Sequence, residues 1–148
     1  AGLFSGLVGE SIVRAGFDLR SQIIWVKDRM ALSRSDYHWQ HEPCWYAVRK
    51  NAKSNRNDDR TQTTTWEIPA RDDEGHGHGT QKPVMCMMKP MQNHIFDCVY
   101  DPFLGSGTTL IAAEKMGKAC IGIELNPEYC DIILQRWEDF TGKKAIKN

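Results

Sequence analysis

The residues of this chain whose types and spacing could do chemistry lie between Val99 and Asn126. An apolar run ends in Asp101 and Pro102, and Gly105 and Gly107 flank Ser106. A helix-like stretch follows, and a second apolar run ends in Glu124, 17 residues after Gly107. In a strand–loop–helix unit the loop faces the helix N-terminus. Free backbone N–H groups and the helix dipole there receive an anionic or polar ligand. Glycines at 105 and 107 let the backbone turn tightly and approach a ligand without a Cβ in the way. A carboxylate at the end of the next strand, the place of Glu124, can accept hydrogen bonds from both hydroxyls of a ribose. The pattern points to a ligand that carries a nucleoside.

Three such ligands compete. A dinucleotide site has G-x-G-x-x-G, and here Leu110 stands at the third glycine position. A P-loop has G-x-x-x-x-G-K-[ST], which this sequence lacks, so ATP by that route is excluded. S-adenosylmethionine is held by the same strand–loop–helix–strand arrangement. Plain structural roles stand beside these: a tight turn for the glycines, a core position for Phe103, a cap of the next helix for Glu124. The complete unit with an acidic residue at the strand end favours the ligand.

The elements that must position these residues follow from periodicity. Residues 127–140 form a helix, with Asn126 and Pro127 as N-cap and first-turn pair and Tyr129, Ile133 and Trp137 at four-residue spacing. Residues 97–101 and 119–124 are strands around a helix at 107–116 that Gly117 closes. Residues 83–95 are helical, with Val84, Met87, Met88, Met91 and Ile95 on one side, and Pro90 should kink or shorten that helix. Further upstream, 4–15 is a helix with Leu7, Val8, Ile12 and Val13 on its apolar face, ended by Gly16. Residues 22–27 and 44–49 are strands separated by the polar, aromatic segment SRSDYHWQHEP. From Lys50 to about Gly79 the chain is polar, with a short strand at Thr64–Ile68. The C-terminal half thus reads as a β-α-β-α unit, a parallel sheet flanked by helices.

Composition sets the bounds. The 148 residues are the length of one domain, 41% of them apolar and 26% charged, as in a soluble globular protein. Formal net charge is zero, so affinity for nucleic acid must come from a local patch. No apolar run approaches the roughly 20 residues of a membrane span. The N-terminus has no basic region of a signal peptide, and without an initiating Met, Ala1 is expected to be an internal residue of a longer protein. Cys44, Cys86, Cys98, Cys120 and Cys130 are odd in number and lack a C-x-x-C pair, which argues against disulfides or a zinc ribbon and for the cytoplasm. His38, His41, Glu42 and Cys44, like His76 and His78, fit no zinc spacing, so no metal is expected and DYHWQHEP reads as a structural or substrate-facing loop.

The run from Asp101 to Lys144 closely resembles the cofactor-binding segment of amino-group DNA methyltransferases of the permuted β arrangement, in which the catalytic motif precedes the target-recognition region and the cofactor loop comes last. HGTQKP, residues 78–83, resembles the element before that loop, and residues 23–50 resemble the strand pair before the recognition region. The resemblance implies an α/β, Rossmann-like, S-adenosylmethionine-dependent fold, incomplete in this chain. It implies one methyltransferase domain portion: a helix and strand pair at 1–50, a polar stretch at 51–79 for target recognition, and a cofactor part at 80–148. By the same resemblance Asp101 and Phe103 line the methionine and adenine side of the cofactor, and Gly105, Ser106, Gly107 and Thr108 cradle its amino-acid part. Glu124 holds the ribose, and Thr80, Gln81 and Lys82 lie near the methionine carboxylate. Gly79 where the family has proline, and Pro90, are departures.

The implied reaction is methyl transfer to the exocyclic amine of adenine or cytosine in double-stranded DNA. Members of the family receive the flipped base on an Asp, Asn or Ser followed by Pro-Pro and an aromatic residue. No two prolines are adjacent here, so no catalytic residue is assigned. The expectation is a chain inactive by itself, whose sheet is completed by a preceding segment or by a second copy in a homodimer. Arg49, Lys50, Lys53, Arg56 and Arg60 fall where the family places target recognition and could meet DNA phosphates. The remaining readings are a non-catalytic cofactor- or DNA-binding relative and, less favoured by Leu110, a nicotinamide-dependent oxidoreductase.

Overall fold

The computed structural model describes residues 2–71 and 81–147. They fall into two compact units, Ala1–Ala70 and Arg71–Asn148.

The first unit opens with a 3₁₀ turn at Gly2–Phe4 and helix α1, Ser5–Arg14. Strands β1, Phe17–Ala31, and β2, Trp39–Arg49, form a long antiparallel pair, and β3, Thr65–Glu67, joins the far side of β1 in parallel. Both long strands exceed their expected limits. Trp39–Pro43, expected within a loop, belong to β2, where Pro43 lies opposite Ile24. β2 is an outer strand of the order β2-β1-β3, so a residue without an N–H can sit there when its backbone nitrogen faces away from the ladder. Trp25 and Trp66 meet in register across β1 and β3 and are buried with Ile68, and the Trp25 indole Nε1 donates to the Ile68 carbonyl at 2.7 Å.

The expected apolar face of α1 is not a buried one. Leu7, Val8 and Val13 are exposed, and the one buried residue of the helix is Gly9. A Cβ on Gly9 would stand 3.3 Å from the Trp45 indole, and the Trp45 Nε1 donates to the Ser5 carbonyl. The helix therefore seats on β1 and β2 through its smallest residues.

The second unit holds helix α2, Val84–Gln92, strand β4, Cys98–Asp101, helix α3, Thr108–Lys115, strand β5, Ala119–Gly122, and helix α4, Pro127–Thr141. β4 and β5 pair in parallel, as the β-α-β reading requires. Pro90 sits inside α2, which ends two residues later, and Ile95 lies beyond the helix and is 70% exposed rather than on its apolar face. Val84, Met91, Ile111, Ala112 and Ala113 form the core, with Met87, Phe96, Val99, Cys120 and Trp137 packed on it. Asn126 caps α4 by accepting from the Glu128 N–H at 2.9 Å, and Gly142, at φ +70°, ends it.

Among the described residues no disulfide joins the cysteines, and no helix is long and apolar enough to cross a membrane.

Candidate functional site

The loop between β4 and α3 is shaped by its own sequence. Asp101 ends β4 and folds the loop onto itself, its Oδ1 accepting from the Phe103 N–H at 3.0 Å and its Oδ2 from the Thr109 hydroxyl at 2.5 Å. Gly105 and Gly107 both have positive φ, +56° and +83°. Gly107 is the N-cap of α3, and its N–H closes a turn onto the Leu104 carbonyl at 2.9 Å. A Cβ there would lie 3.3 Å from Cγ1 and Cγ2 of Ile133, so α4 packs against the glycine directly. The need for glycine at 107 thus comes from the helix behind the loop as well as from the turn.

Glu124, two residues past β5, accepts from the Gly105 N–H on Oε2 at 2.8 Å and from the Asn126 N–H on Oε1 at 2.9 Å. Backbone N–H groups, Asn126 first and then Gly105, hold its carboxyl below the ordinary 4.5. With Leu125 as a third backbone donor, the carboxylate still has acceptor capacity beyond these bonds. A carboxyl whose folded pKa is depressed stabilises the fold above its unfolded value, and that contribution is lost as pH falls through the folded one. Thermal melts from pH 7 to 3 should therefore show a loss of stability below about pH 4.5 that is smaller in Glu124→Gln. An identical acid limb in the two proteins would exclude the loop brace.

A cavity of about 220 Å³ opens beside the loop. Of the residues singled out in the sequence, Gln81, Lys82, Asp101, Phe103, Gly105, Ser106 and Thr108 line it. Phe103 stands 87% exposed at its wall, which overturns a core role for that ring. Gly107 and Glu124 shape the loop without lining the cavity, and Thr80 lies outside the described residues, as do His76 and His78. Met87, Leu104, Thr109 and Tyr129 line it too and carry no separate signal in the sequence. Tyr129 shares the four-residue spacing of a core stripe, and nothing local marks it as facing a cavity.

The basic residues at the other end of the chain have different surroundings. Arg49, Lys50, Lys53, Arg56 and Arg60 are all exposed. Lys50 N–H donates to the Gly16 carbonyl, and Arg56 Nη1 to the Asn57 carbonyl. Asp59 organises the next turn by accepting from Gln62 and Thr61, which holds its pKa at about 2. His38, His41, Glu42 and Cys44 do not converge: His38 Nδ1 faces Ser33, His41 meets the Trp39 ring edge-on, and Glu42 pairs with Lys27 at 2.6 Å.

Residues 6–135 match the family described as DNA methylase (N6_N4_Mtase). The type II methyltransferase M2.LlaDCHI of Lactococcus lactis subsp. cremoris is 30% identical over 148 aligned residues, 87% of this chain and 54% of the relative. The type II methyltransferase M.Cfr9I of Citrobacter freundii is 31% identical over 82% of this chain and 45% of its own length. Among solved structures, the M1.HpyAVI–SAM complex superposes with a TM-score of 0.79 at 28% identity, over 93% of this chain and 71% of that one. The cytosine-N4-specific PvuII DNA methyltransferase, at 18% identity and a TM-score of 0.73, shares the fold. This chain spans about half the length of the curated relatives it matches. Its α/β architecture is that of the S-adenosylmethionine-dependent methyltransferase fold, with a partial sheet. With most of its length matched, the chain belongs to the N6_N4 family of DNA methylases.

Proposed function

We propose that this chain carries the S-adenosylmethionine-binding part of a DNA methyltransferase that modifies the exocyclic amine of adenine or cytosine in double-stranded DNA, as in the type II systems of its relatives. The observation that carries the reading is the cavity framed by the Gly105–Thr108 loop, Asp101 and the Gln81–Lys82 segment. The donor set suits the cofactor. A Lys82 ammonium answers a carboxylate, Gly105 at the cavity wall admits close approach, and Glu124, braced on the Gly105 N–H beside the cavity, offers acceptor capacity to ribose hydroxyls. When bound, S-adenosylmethionine supplies an electrophilic methyl group on a sulfonium sulfur. The residues of this chain hold and orient it: Asp101 and Glu124 fix the loop, and Phe103 offers an exposed ring face for stacking.

In this reading both compact units belong to one methyltransferase domain, located in the cytoplasm. Thr80 joins Gln81 and Lys82 at the methionine carboxylate. The exposed Arg49, Lys50, Lys53, Arg56 and Arg60 meet DNA phosphates. A two-stranded β4–β5 sheet leaves an outer edge on each strand, which further chain or a second copy would complete. These 148 residues contain no Pro-Pro-aromatic motif to receive a flipped base, and alone they transfer no methyl group.

Titration calorimetry tests the cofactor: S-adenosylmethionine or its demethylated product should bind more tightly than NAD, and tighter NAD binding would sink the reading. A radiolabelled methyl assay with this chain and duplex DNA should stay at background. Robust incorporation would show that the residues that receive the base lie within the chain.

A further inference from the structure

Among the described residues of the second unit, the buried cation is Arg136, in the third turn of α4 and 7% exposed. A buried guanidinium is retained only where its donors are met. Here Nη1 donates to the Ser106 carbonyl at 3.1 Å and to the Thr108 hydroxyl oxygen at 3.2 Å. The single Thr108 hydroxyl proton goes to the Lys82 carbonyl, 3.2 Å away. Arg136 donates to that oxygen while the Thr108 proton is free to serve Lys82, so the two bonds are compatible. The Ser106–Gly107 peptide is held from both sides, its carbonyl by Arg136 and its N–H by Leu104. One side chain thus sets two walls of the cavity, the loop at Ser106–Thr108 and the segment at Lys82.

We propose that Arg136 is a positioning residue that fixes the spacing of the Ser106–Thr108 loop and the Lys82 segment, and so the half of the cavity that takes the amino-acid end of the cofactor. The proposal rests on the S-adenosylmethionine reading of that cavity. It does not make Arg136 a ligand contact, because Arg136 reaches the cavity through Thr108 and Ser106.

The test uses Arg136→Met, which keeps the buried stem, and Arg136→Lys, which keeps the charge but reaches one acceptor at a time. In the ligand-free protein, amide hydrogen exchange at Gly107 should quicken about 10-fold or more in Arg136→Met, with the α3 interior at Ala112 and Ala113 unchanged. Calorimetry should show S-adenosylmethionine affinity falling about 10-fold or more while adenosine, which lacks the amino-acid end, loses less than about 3-fold. Arg136→Lys should fall between, and it serves alone if Arg136→Met fails to fold. Unchanged Gly107 exchange, or equal losses for both compounds, overturns the assignment. Wild-type protein that binds neither compound overturns the cofactor reading instead, and the exchange measurement still judges the tie.

Discussion

Gly107→Asp should weaken S-adenosylmethionine binding by about 100-fold or more, measured by calorimetry against the wild-type chain. Several costs coincide at this position. The residue sits at φ +83°, a left-handed conformation that costs a non-glycine residue roughly 1–3 kcal/mol. Its Cβ would also press on Ile133 at 3.3 Å, and Ile133 is itself buried, so relief requires α4 to move away from the loop. The new carboxylate would then sit between Ser106 and Thr108, both buried, where the Arg136 guanidinium is already engaged by the Ser106 carbonyl and the Thr108 hydroxyl. A negative charge there would also repel the carboxylate of the cofactor. Gly107→Ala carries the strain and the contact without the charge, and should lose less affinity than Gly107→Asp. Wild-type affinity in the Asp variant would show that the loop is not the site.

Trp25→Ala should lower unfolding stability by roughly 3–5 kcal/mol in a urea titration. Trp25 is buried on β1, lies opposite Trp66 of β3, and has Lys27 Nζ 4.9 Å from its ring centroid. Its indole donates to the Ile68 carbonyl, the residue at which the chain leaves β3, so truncation empties a large volume and orphans a carbonyl together. Trp25→Phe keeps a six-membered ring but loses the donor and the pyrrole part of the indole, and should cost roughly 1–3 kcal/mol. Equal losses in the two variants would show that the hydrogen bond, and not the packing, carries the contribution. A stability of this size is a sizeable share of what a small domain has, roughly 5–15 kcal/mol, so the Ala variant should be markedly easier to unfold.

The legibility of the two units in the sequence differed for a physical reason. In the second unit the elements are local. A glycine at φ +83° can open α3, Asn126 and Pro127 can open α4, and an apolar run between polar ends makes a parallel strand. These choices are made by neighbours a few residues apart, so the β-α-β-α order follows from the chain itself. In the first unit the strands are held by partners far along the chain. β2 extends through HisGluPro because β1 runs alongside it, and no local signal at Trp39–Pro43 announces that pairing. For the same reason α1 shows helical spacing of apolar residues yet buries Gly9, since what a helix face meets is set by the element beneath it.

The site divides the same way. Residue type alone marks Gly105, Gly107, Asp101 and Glu124, because turns and strand-end carboxylates have chemistry that few other side chains supply. Tertiary structure decides what those groups do. It turns both oxygens of Glu124 onto backbone N–H groups, and it puts Ile133 behind Gly107. It also brings Arg136 from 28 residues away onto Thr108. A lone arginine on an amphipathic helix has the same sequence signature whether it faces solvent or a buried carbonyl. By itself the sequence determined the kind of loop and the order of its elements. Only the packing of α4 against that loop decided which of its atoms remain for a ligand, because burial and hydrogen-bond partners belong to distances that the chain order does not contain.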